Sequence, residues 1–240
     1  MRWHTKVFLA VGLLSGMSAA QAVPMINISL EGLAAAQSAE ATFIGGLSGD
    51  IVTEDFEDKQ YTVGDQMTPF TSTVGTFTVD KFGKGGLCDY KSFACDAGLA
   101  VLDEDTSPFN GRFNTTEGGS NWLDSMDARK MTFVPIEGTT ALGFYLTDPN
   151  DAGGVFDLTA VGNSGKDSRV NIFDGSLPTG RVFYISVEDP LGITSLSINT
   201  NNPNDGYGVD DVTVAVPAPG TLALLGFGLA MLGMLRRRQT

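Results

Sequence analysis

The stretch FYISVEDPLGITSLSINT, residues 183–200, contains two runs of spaced apolar residues separated by an Asp-Pro turn. A period of two places one set of side chains on a single face of a β-strand, so each run predicts a strand with one buried face. The apolar residues that mark these faces are Phe183, Ile185 and Val187 before the turn, and Ile193, Leu196 and Ile198 after it.

The same pattern of apolar runs separated by turn residues extends over most of the chain. Runs of β-branched and aromatic residues are separated by Gly, Asn, Asp or Pro about every ten residues, which is typical of an antiparallel β-sandwich. An alanine-rich segment, SLEGLAAAQSAEATF at 29–43, predicts one short helix with Ser29 as its N-cap. The predicted strands lie near 51–57, 74–82, 98–102, 130–136, 140–147, 154–161, 168–174, 181–187, 192–198 and 208–216.

Composition and charge exclude several kinds of function. The 240 residues are 42% hydrophobic and 18% charged, which suits one large β-domain with an ordinary core. The single histidine, His4, falls in a segment that we expect to be removed, which excludes histidine-dependent triads and His-ligated zinc or haem. Residues 23–235 hold 10 bases and 28 acids, a net charge of −18. So acidic a domain repels phosphate backbones and anionic lipid, which disfavours nucleic acid as a partner and favours cations or neutral polymers.

The N-terminus has the pattern of a secretory signal peptide. Arg2 and Lys6 precede the uncharged run VFLAVGLLSGMSAA, which leads into the small-x-small sequence Ala20-Gln21-Ala22. The run is shorter than the roughly 20 residues that span a bilayer. We expect cleavage after Ala22, followed by a helical lead-in at 23–50 and a β-sandwich domain at 51–216.

Residues 217–240 have the pattern of a second targeting signal, at the C-terminal end. A proline motif is followed by the uncharged run TLALLGFGLAMLGML and then by a basic cluster; this order predicts a turn, a transmembrane helix and a cytoplasmic stop. The pattern resembles the PEP-CTERM sorting signal of Gram-negative exported proteins, and that resemblance implies processing by an exosortase. The protein would then pass from an inner-membrane-tethered precursor to the cell surface or the extracellular space. The residues of the motif are Pro217, Ala218 (where the family has glutamate) and Pro219, with Arg236, Arg237 and Arg238 as the cluster.

Further segments resemble jelly-roll domains of the kind that precede PEP-CTERM tails. They are ALGFYLTD at 141–148, VFDL at 155–158 and GYGVDDVTV at 206–214. The last of these, together with Asp55-Phe56-Glu57, is also similar to carbohydrate-binding jelly rolls in which an N-terminal Phe-Glu and a C-terminal Asp-Asp-Val help to hold a structural calcium. The resemblance implies a Ca²⁺ ion held by Glu57, Asp210 and Asp211.

The residues give a physical reason for the same site. If the first and last strands meet, Glu57 comes beside Asp210 and Asp211, and these carboxylates repel one another unless a cation binds. Alternation along VDDVTV predicts that Asp210 points into the core with Val212, where it needs a cation or backbone donors. Solvated turn acids are the alternative, and the further clusters at 54–58, 103–105, 148–151 and 205 leave the same two alternatives open.

Two other features have structural explanations. Cys88 and Cys95 are the only cysteines, and in an exported protein such a close pair predicts a disulfide that rigidifies the glycine-rich loop around them. Trp122 is the one tryptophan of the expected mature chain. Stacking on a sugar is one role for it, but a lone tryptophan in a sandwich favours a core position.

Three functions remain open at this point. The first is an exported, non-catalytic surface or extracellular-matrix protein associated with exopolysaccharide or biofilm. The second is a calcium-stabilised carbohydrate-binding module. The third is a glycoside hydrolase, which needs two carboxyl groups about 5–9 Å apart. The Glu-x-Asp-x-Glu string of laminarinase-like jelly rolls does not occur, so we predict that the chain is not an enzyme.

Overall fold

The computed structural model describes residues 22–58, 60–84, 93–94 and 96–217, which form two packed β-sheets and one helix. In chain order the elements are β1 (Met25–Ile28), α1 (Leu33–Gly46), β2 (Asp50–Glu54), β3 (Gln66–Met67), β4 (Phe70–Ser72), β5 (Gly75–Lys81), β6 (Leu99–Leu102), β7 (Trp122–Asp124), β8 (Lys130–Pro135), β9 (Ala141–Thr147), β10 (Gly154–Gly162), β11 (Asp167–Gly175), β12 (Val182–Glu188), β13 (Ile193–Thr200) and β14 (Gly208–Val216).

Consecutive strands repeatedly cross from one sheet to the other. The larger sheet has the order β1-β12-β9-β14-β7-β6-β3, with β2 also paired to β14, and the smaller sheet has the order β11-β10-β13-β8-β5-β4. The turn inside the 183–200 segment is one such crossing, because β12 lies in the larger sheet and β13 in the smaller. Asp189 shapes this turn: its Oδ1 accepts the N–H of Leu191 and its carbonyl accepts the N–H of Gly192, both at 2.9 Å.

Apolar side chains from both sheets fill the space between them. Phe77 and Phe133, opposite each other on β5 and β8, stack with ring centroids 4.3 Å apart. Ile185 and Leu196, from the two runs of the 183–200 segment, belong to the same buried cluster. Each fully buried side chain of this size contributes about 1.5–3 kcal/mol to the free energy of unfolding. The predicted antiparallel sandwich with a short helix is therefore confirmed.

The predicted strands and the observed ones agree where the strands are long. All ten predicted strands overlap an observed strand. Strands β1, β3, β4 and β7 have no predicted counterpart, and each has four residues or fewer. So short a run holds too few residues to show a period of two.

The start of the helix differs from the prediction. Gly32, not Ser29, precedes the first helical residue, and no side chain caps the helix. Ser29 instead extends the pairing of β1 with β12: its N–H donates to the Tyr184 carbonyl and its Oγ accepts the Tyr184 N–H, both at 2.9 Å. The lead-in at 23–50 thus contains an edge strand as well as a helix. Ser29 belongs to the edge of the sheet because its two hydrogen bonds satisfy its own N–H and the N–H and carbonyl of Tyr184.

Helix α1 covers part of the outer face of the larger sheet. Ala36 and Phe43 are buried there, and the Phe43 ring lies 5.9 Å from the ring of Tyr184. The hydroxyl of Tyr145 donates to Oε2 of Glu40 at 2.6 Å, which ties the sheet-facing side of the helix to β9. Within the described ranges, no helix combines the length and the apolarity needed to cross a bilayer.

Several predictions concern segments outside the described residues. The signal peptide with Ala20, both cysteines of the predicted disulfide (Cys88 and Cys95), and the tail from Ala218 onward all fall there. They stay predictions from the sequence.

Gly143 on β9 allows the helix to approach the sheet, which gives a test of this packing. A Cβ at Gly143 would lie 2.3 Å from the Tyr184 hydroxyl and 2.7 Å from a Phe43 ring carbon. We expect Gly143→Ala to lower the free energy of unfolding by about 1–3 kcal/mol. Gly45→Ala is the matched control: it lies in α1 with nothing within 4 Å of the new Cβ, and it should raise stability by about 0.5–1 kcal/mol. Urea unfolding of the full chain measures both, and a Gly143→Ala protein as stable as the wild type would contradict the described packing.

Candidate functional site

Strand β14 changes neighbours at Asp210 and Asp211. On one side it pairs with β9 along most of its length, whereas on the other side it pairs first with β7 and then with β2. The register with β9 shifts between Asp210 and Thr213, and Asp211 adopts a φ of 47°. A β-bulge therefore lies at the change of partner, where an extra residue re-aims the neighbouring side chains.

This bulge overturns the predicted orientation of Asp210. Val209 and Val212 both face the core between the sheets, because the extra residue returns the strand to the same face. Asp210 lies opposite Tyr145, on the side of the sheet that α1 covers. The prediction that Asp210 shares a side with Val212 is therefore wrong. Asp210 is nevertheless fully buried, and backbone and hydroxyl donors satisfy it.

The segment that leads into β7 supplies these donors, and we call residues 114–121 the clasp loop. The N–H and the hydroxyl of Thr115 donate to Oδ2 of Asp210 at 2.6 and 2.9 Å. The hydroxyl of Thr116 donates to Oδ1 of Asp211 at 2.7 Å. The clasp loop thus fills the place where β14 passes from β7 to β2.

Glu57 binds the other end of the clasp loop. Its Oε1 accepts the N–H of Ser120 at 2.6 Å and the N–H of Asn121 at 2.7 Å. All three predicted calcium ligands therefore contact one loop. Among the residues that the structure describes, no three Asp, Glu, His or Cys side chains gather as a group that could hold a metal ion. Calcium held by Glu57, Asp210 and Asp211 stays a prediction.

Burial controls the charge of the two aspartates. It raises the pKa of Asp210 well above the ordinary value, and the nearby charge of Asp211 raises it further, whereas the hydrogen bonds from Thr115 act in the opposite direction. Burial is also the main cause of the raised pKa of Asp211, to which the charges of Asp55 and Glu57 add. The donors of the clasp loop thus offset a cost of ionisation that burial and mutual repulsion impose.

Trp122 lies in the core, which is the position that the sequence favours. It is 1% exposed and packs with Leu102, Phe109 and Met126, while its Nε1 donates to Oδ2 of Asp124 at 3.1 Å. The ring has no open face for a sugar, so Trp122 is not a sugar contact.

A polar row that was not predicted from the sequence crosses the outer face of the smaller sheet. Thr78 of β5 lies opposite Thr132 of β8, which lies opposite Ser197 of β13, which in turn lies opposite Thr159 of β10. All four side chains are half-buried, and neighbouring strands are about 4.8 Å apart. They place hydroxyl groups side by side on four adjacent strands, which we call the hydroxyl row.

A shallow cleft of about 540 Å³ opens along three members of the hydroxyl row, Thr132, Ser197 and Thr159. The Thr132 hydroxyl is central to it, because it donates to Oδ2 of Asp80 at 2.6 Å and lies 2.8 Å from Oγ of Ser197. Ser195 and Asn199 also line the cleft. These hydroxyl and amide groups can each donate and accept hydrogen bonds, as the hydroxyl groups of a sugar do.

Asp80 is the one carboxylate among the described residues that line this cleft. Nζ of Lys130 lies 3.0 Å from its Oδ2. Burial opposes ionisation of Asp80, but the hydrogen bonds from Thr132 and Lys130 together with the ammonium charge outweigh it and hold the pKa below the ordinary value. A glycosidase needs a second carboxyl group and an acid with a raised pKa. The described lining of this cleft does not contain that pair of carboxyl groups.

The sequence contained a signal for the hydroxyl row. Thr76 and Thr78 alternate with Phe77 and Val79 in β5, and serines alternate with apolar residues in β13. Each pattern shows that polar groups share the outer face of its own strand. Which strands lie side by side cannot be read from these local patterns.

The comparisons with known proteins give likenesses of fold. No protein-family model matches the chain, and no curated protein matches its sequence. Similar solved structures include the K2 cleaved adhesin domain of Lys-gingipain, with a TM-score of 0.41 and 17% identity over 70% of this chain and 100% of that one. The K1 cleaved adhesin domain of Lys-gingipain from Porphyromonas gingivalis W83 has a TM-score of 0.34 and 10% identity over 71% of this chain and 100% of that one. The CBM22-1 xylan-binding domain of Paenibacillus barcinonensis Xyn10C has a TM-score of 0.35 and 13% identity over 72% of this chain and 99% of that one.

The contact of Asp210 with the clasp loop can be tested by truncation. Asp210→Ala leaves the N–H of Thr115 without its acceptor, and we expect the free energy of unfolding to fall by about 1–3 kcal/mol. Glu117→Ala, at an exposed position of the same loop, should stay within about 0.5 kcal/mol of the wild type. Urea unfolding in EDTA measures the two variants without any contribution from bound cations. Equal stabilities for both would rule out the clasp.

Proposed function

We propose that this chain is an exported, non-catalytic protein of the cell surface or extracellular matrix, and that it binds polysaccharide in the cleft along the hydroxyl row. The observation that carries the proposal is the register of Thr78, Thr132, Ser197 and Thr159 on four adjacent strands. A polysaccharide repeats its hydroxyl groups along its length, so a chain lying along the row would meet a matching group at every strand.

Charge favours a neutral polymer as the ligand. Residues 23–235 carry a net charge of −18, which disfavours an acidic polysaccharide. Two cationic groups beside the hydroxyl row are paired with acids, Lys130 with Asp80 and Arg169 with Asp157. The cleft therefore offers hydrogen bonds rather than free positive charge.

The two ends of the chain supply the cellular part of the proposal. The basic and apolar N-terminus with Ala20-Gln21-Ala22 directs export, and the tail from Pro217 to the final arginines resembles a signal that an exosortase processes. A protein released in this way reaches the compartment in which exopolysaccharide and biofilm matrix lie. The cell would be a Gram-negative bacterium.

A calcium-stabilised carbohydrate-binding module is the second candidate. It is favoured by the contact of Glu57, Asp210 and Asp211 with the same clasp loop. A calcium ion near these carboxylates would reduce their mutual repulsion and fix the loop. In this form the chain would bind sugar as a dedicated module, with calcium as a structural cofactor.

Removal of the two central hydroxyl groups tests the binding cleft. The double variant Thr132→Val, Ser197→Ala should weaken the affinity for the polysaccharide by about 5- to 150-fold, since each lost hydrogen bond is worth about 0.5–1.5 kcal/mol. Thr62→Val changes an exposed turn threonine that does not line the cleft, and it should bind as the wild type does. The full chain is first placed on a glycan array, and the retained polysaccharide is then titrated by calorimetry.

Two outcomes would count against this proposal. Equal retention of the double variant and the Thr62→Val control would place any sugar contact away from the hydroxyl row. Release of new reducing ends from the bound polysaccharide would make the chain a hydrolase. The melting temperatures of both variants should be recorded, so that a loss of binding is not confused with unfolding.

Mass spectrometry of the protein from its host tests export and sorting. We expect a mature chain that starts at Val23 and has lost Arg236, Arg237 and Arg238, because both terminal segments are targeting signals that processing removes. A mature form that begins at Val23 but keeps the arginines would indicate a plain membrane anchor instead of a sorting signal.

A further inference from the structure

A second group of acids lies where the turn between β9 and β10 meets the segment before β14. The turn is DPNDAGG at 148–154, and the facing segment is residues 201–206. Nδ2 of Asn202 donates to the carbonyls of Ala152 at 2.9 Å and Gly153 at 2.7 Å. Oδ1 of Asn201 accepts the N–H of Val155 at 2.9 Å. These bonds hold the two segments against each other.

Asp205, on the second of these segments, is buried without donors. It is 0% exposed, and neither of its carboxylate oxygens has a hydrogen-bond partner. The carboxyl group of Asp151 and the N–H of Ala152 come close enough to shift its pKa, but neither completes a hydrogen bond of normal geometry. Asp210 is equally buried and accepts both donors of Thr115. A buried carboxylate is unfavourable unless it has such partners or a cation.

Asp151 and Asn150 are further oxygen-bearing residues of the 148–154 turn. Asp151 is the neighbour whose charge, after burial itself, contributes most to the raised pKa of Asp205, so the two carboxyl groups lie close together. Asn150 is 0% exposed; its Nδ2 donates to the carbonyl of Gly175 at 2.6 Å, while its Oδ1 accepts no hydrogen bond. Oxygen atoms of this kind suit a hard cation.

The nearby arginine is already paired with other acids. Nη1 of Arg112 donates to Oδ1 of Asp124 at 2.7 Å, and its Nη2 lies 3.7 Å from Oδ1 of Asp127. In the part of the chain that the structure describes, no Lys or Arg nitrogen lies within 4.0 Å of the carboxylate of Asp205 or Asp151. Neither carboxylate therefore forms an ion pair with these residues, although the charge of Arg112 partly offsets the raised pKa of Asp205.

We propose that a calcium ion binds between the 148–154 turn and the 201–206 segment, ligated by Asp205 and Asp151, with Oδ1 of Asn150 as a further oxygen ligand. Calcium takes about six to eight oxygen ligands in a flexible geometry, so main-chain carbonyls and water complete its shell in an irregular turn. Magnesium demands a stricter octahedron, and zinc prefers nitrogen and sulfur ligands. This site is distinct from the one predicted at the clasp loop, and it does not depend on polysaccharide binding.

Melting of the full chain in CaCl₂ and in EDTA tests the proposal. A cation that binds only the native state raises the melting temperature, by about 3–6 °C for a chain of this size at a free concentration ten times its Kd. Asp205→Asn should lose this rise. In EDTA the same variant should melt at or above the wild-type temperature, because the amide removes one of two facing carboxylates. Glu117→Gln, on the exposed side of the clasp loop, should keep the full rise.

Two further variants and a luminescence measurement distinguish this site from the clasp loop. Asp211→Asn should keep the calcium-dependent rise, and Asp151→Asn should reduce it. Terbium luminescence excited through Tyr207 should appear in the wild type and vanish in Asp205→Asn. Tyr207 is close enough to excite an ion at this site, because the charge of Asp205 contributes to the raised pKa of the buried Tyr207 hydroxyl. An unchanged wild-type melting temperature in calcium would overturn the proposal. So would a rise that survives Asp205→Asn and disappears in Asp211→Asn.

Discussion

The hydrogen bonds from Thr115 to Asp210 join parts of the chain that are 95 residues apart in sequence. Strand β14 lies inside the larger sheet, with β9 on one side and with β7 followed by β2 on the other. The bulge marks the point where one of these partners ends and the next begins, so the backbone there cannot be satisfied by a continuous ladder. At this point Thr115 and Thr116 of the clasp loop donate to the side-chain carboxylates of Asp210 and Asp211, which joins β14 to the segment before β7. The burial of Asp210 beside the change of strand partner depends on these donors.

The two sheets expose different kinds of outer surface. Helix α1 packs on the larger sheet around Phe43 and Tyr184, whereas the smaller sheet carries polar side chains in line. The irregularities of the smaller sheet lie outside the hydroxyl row. One is between Val79 and Lys81 in β5, and two are in β10, between Phe156 and Asp157 and between Val161 and Gly162. The register is therefore regular where Thr132 and Ser197 meet. A row of evenly spaced hydroxyl groups can form only because the strand register is uninterrupted at that point.

The sequence predicted the long elements and missed what depends on strand order. A strand such as β12 buries one face, so its alternation is visible in the residues themselves. The burial of Asp210 could also be foreseen from the valines around it. Its direction could not, since a bulge adds one residue and inverts the alternation that follows. The hydroxyl row is beyond local patterns for a related reason: β5, β8, β13 and β10 are neighbours in space but not consecutive along the chain.

Asp210 and Asp205 are both buried carboxylates that need stabilising partners. Burial is the largest cause of the raised pKa of each, and a second carboxylate stands beside each of them. The chain supplies donors to Asp210 from Thr115, whereas the oxygens of Asp205 have no such partner. A calcium ion at Asp205 would hold the segment that enters β14, so both kinds of partner act on the same strand of the larger sheet. Because the hydroxyl row belongs to the smaller sheet, calcium would stabilise the fold without forming part of the surface that we propose for polysaccharide.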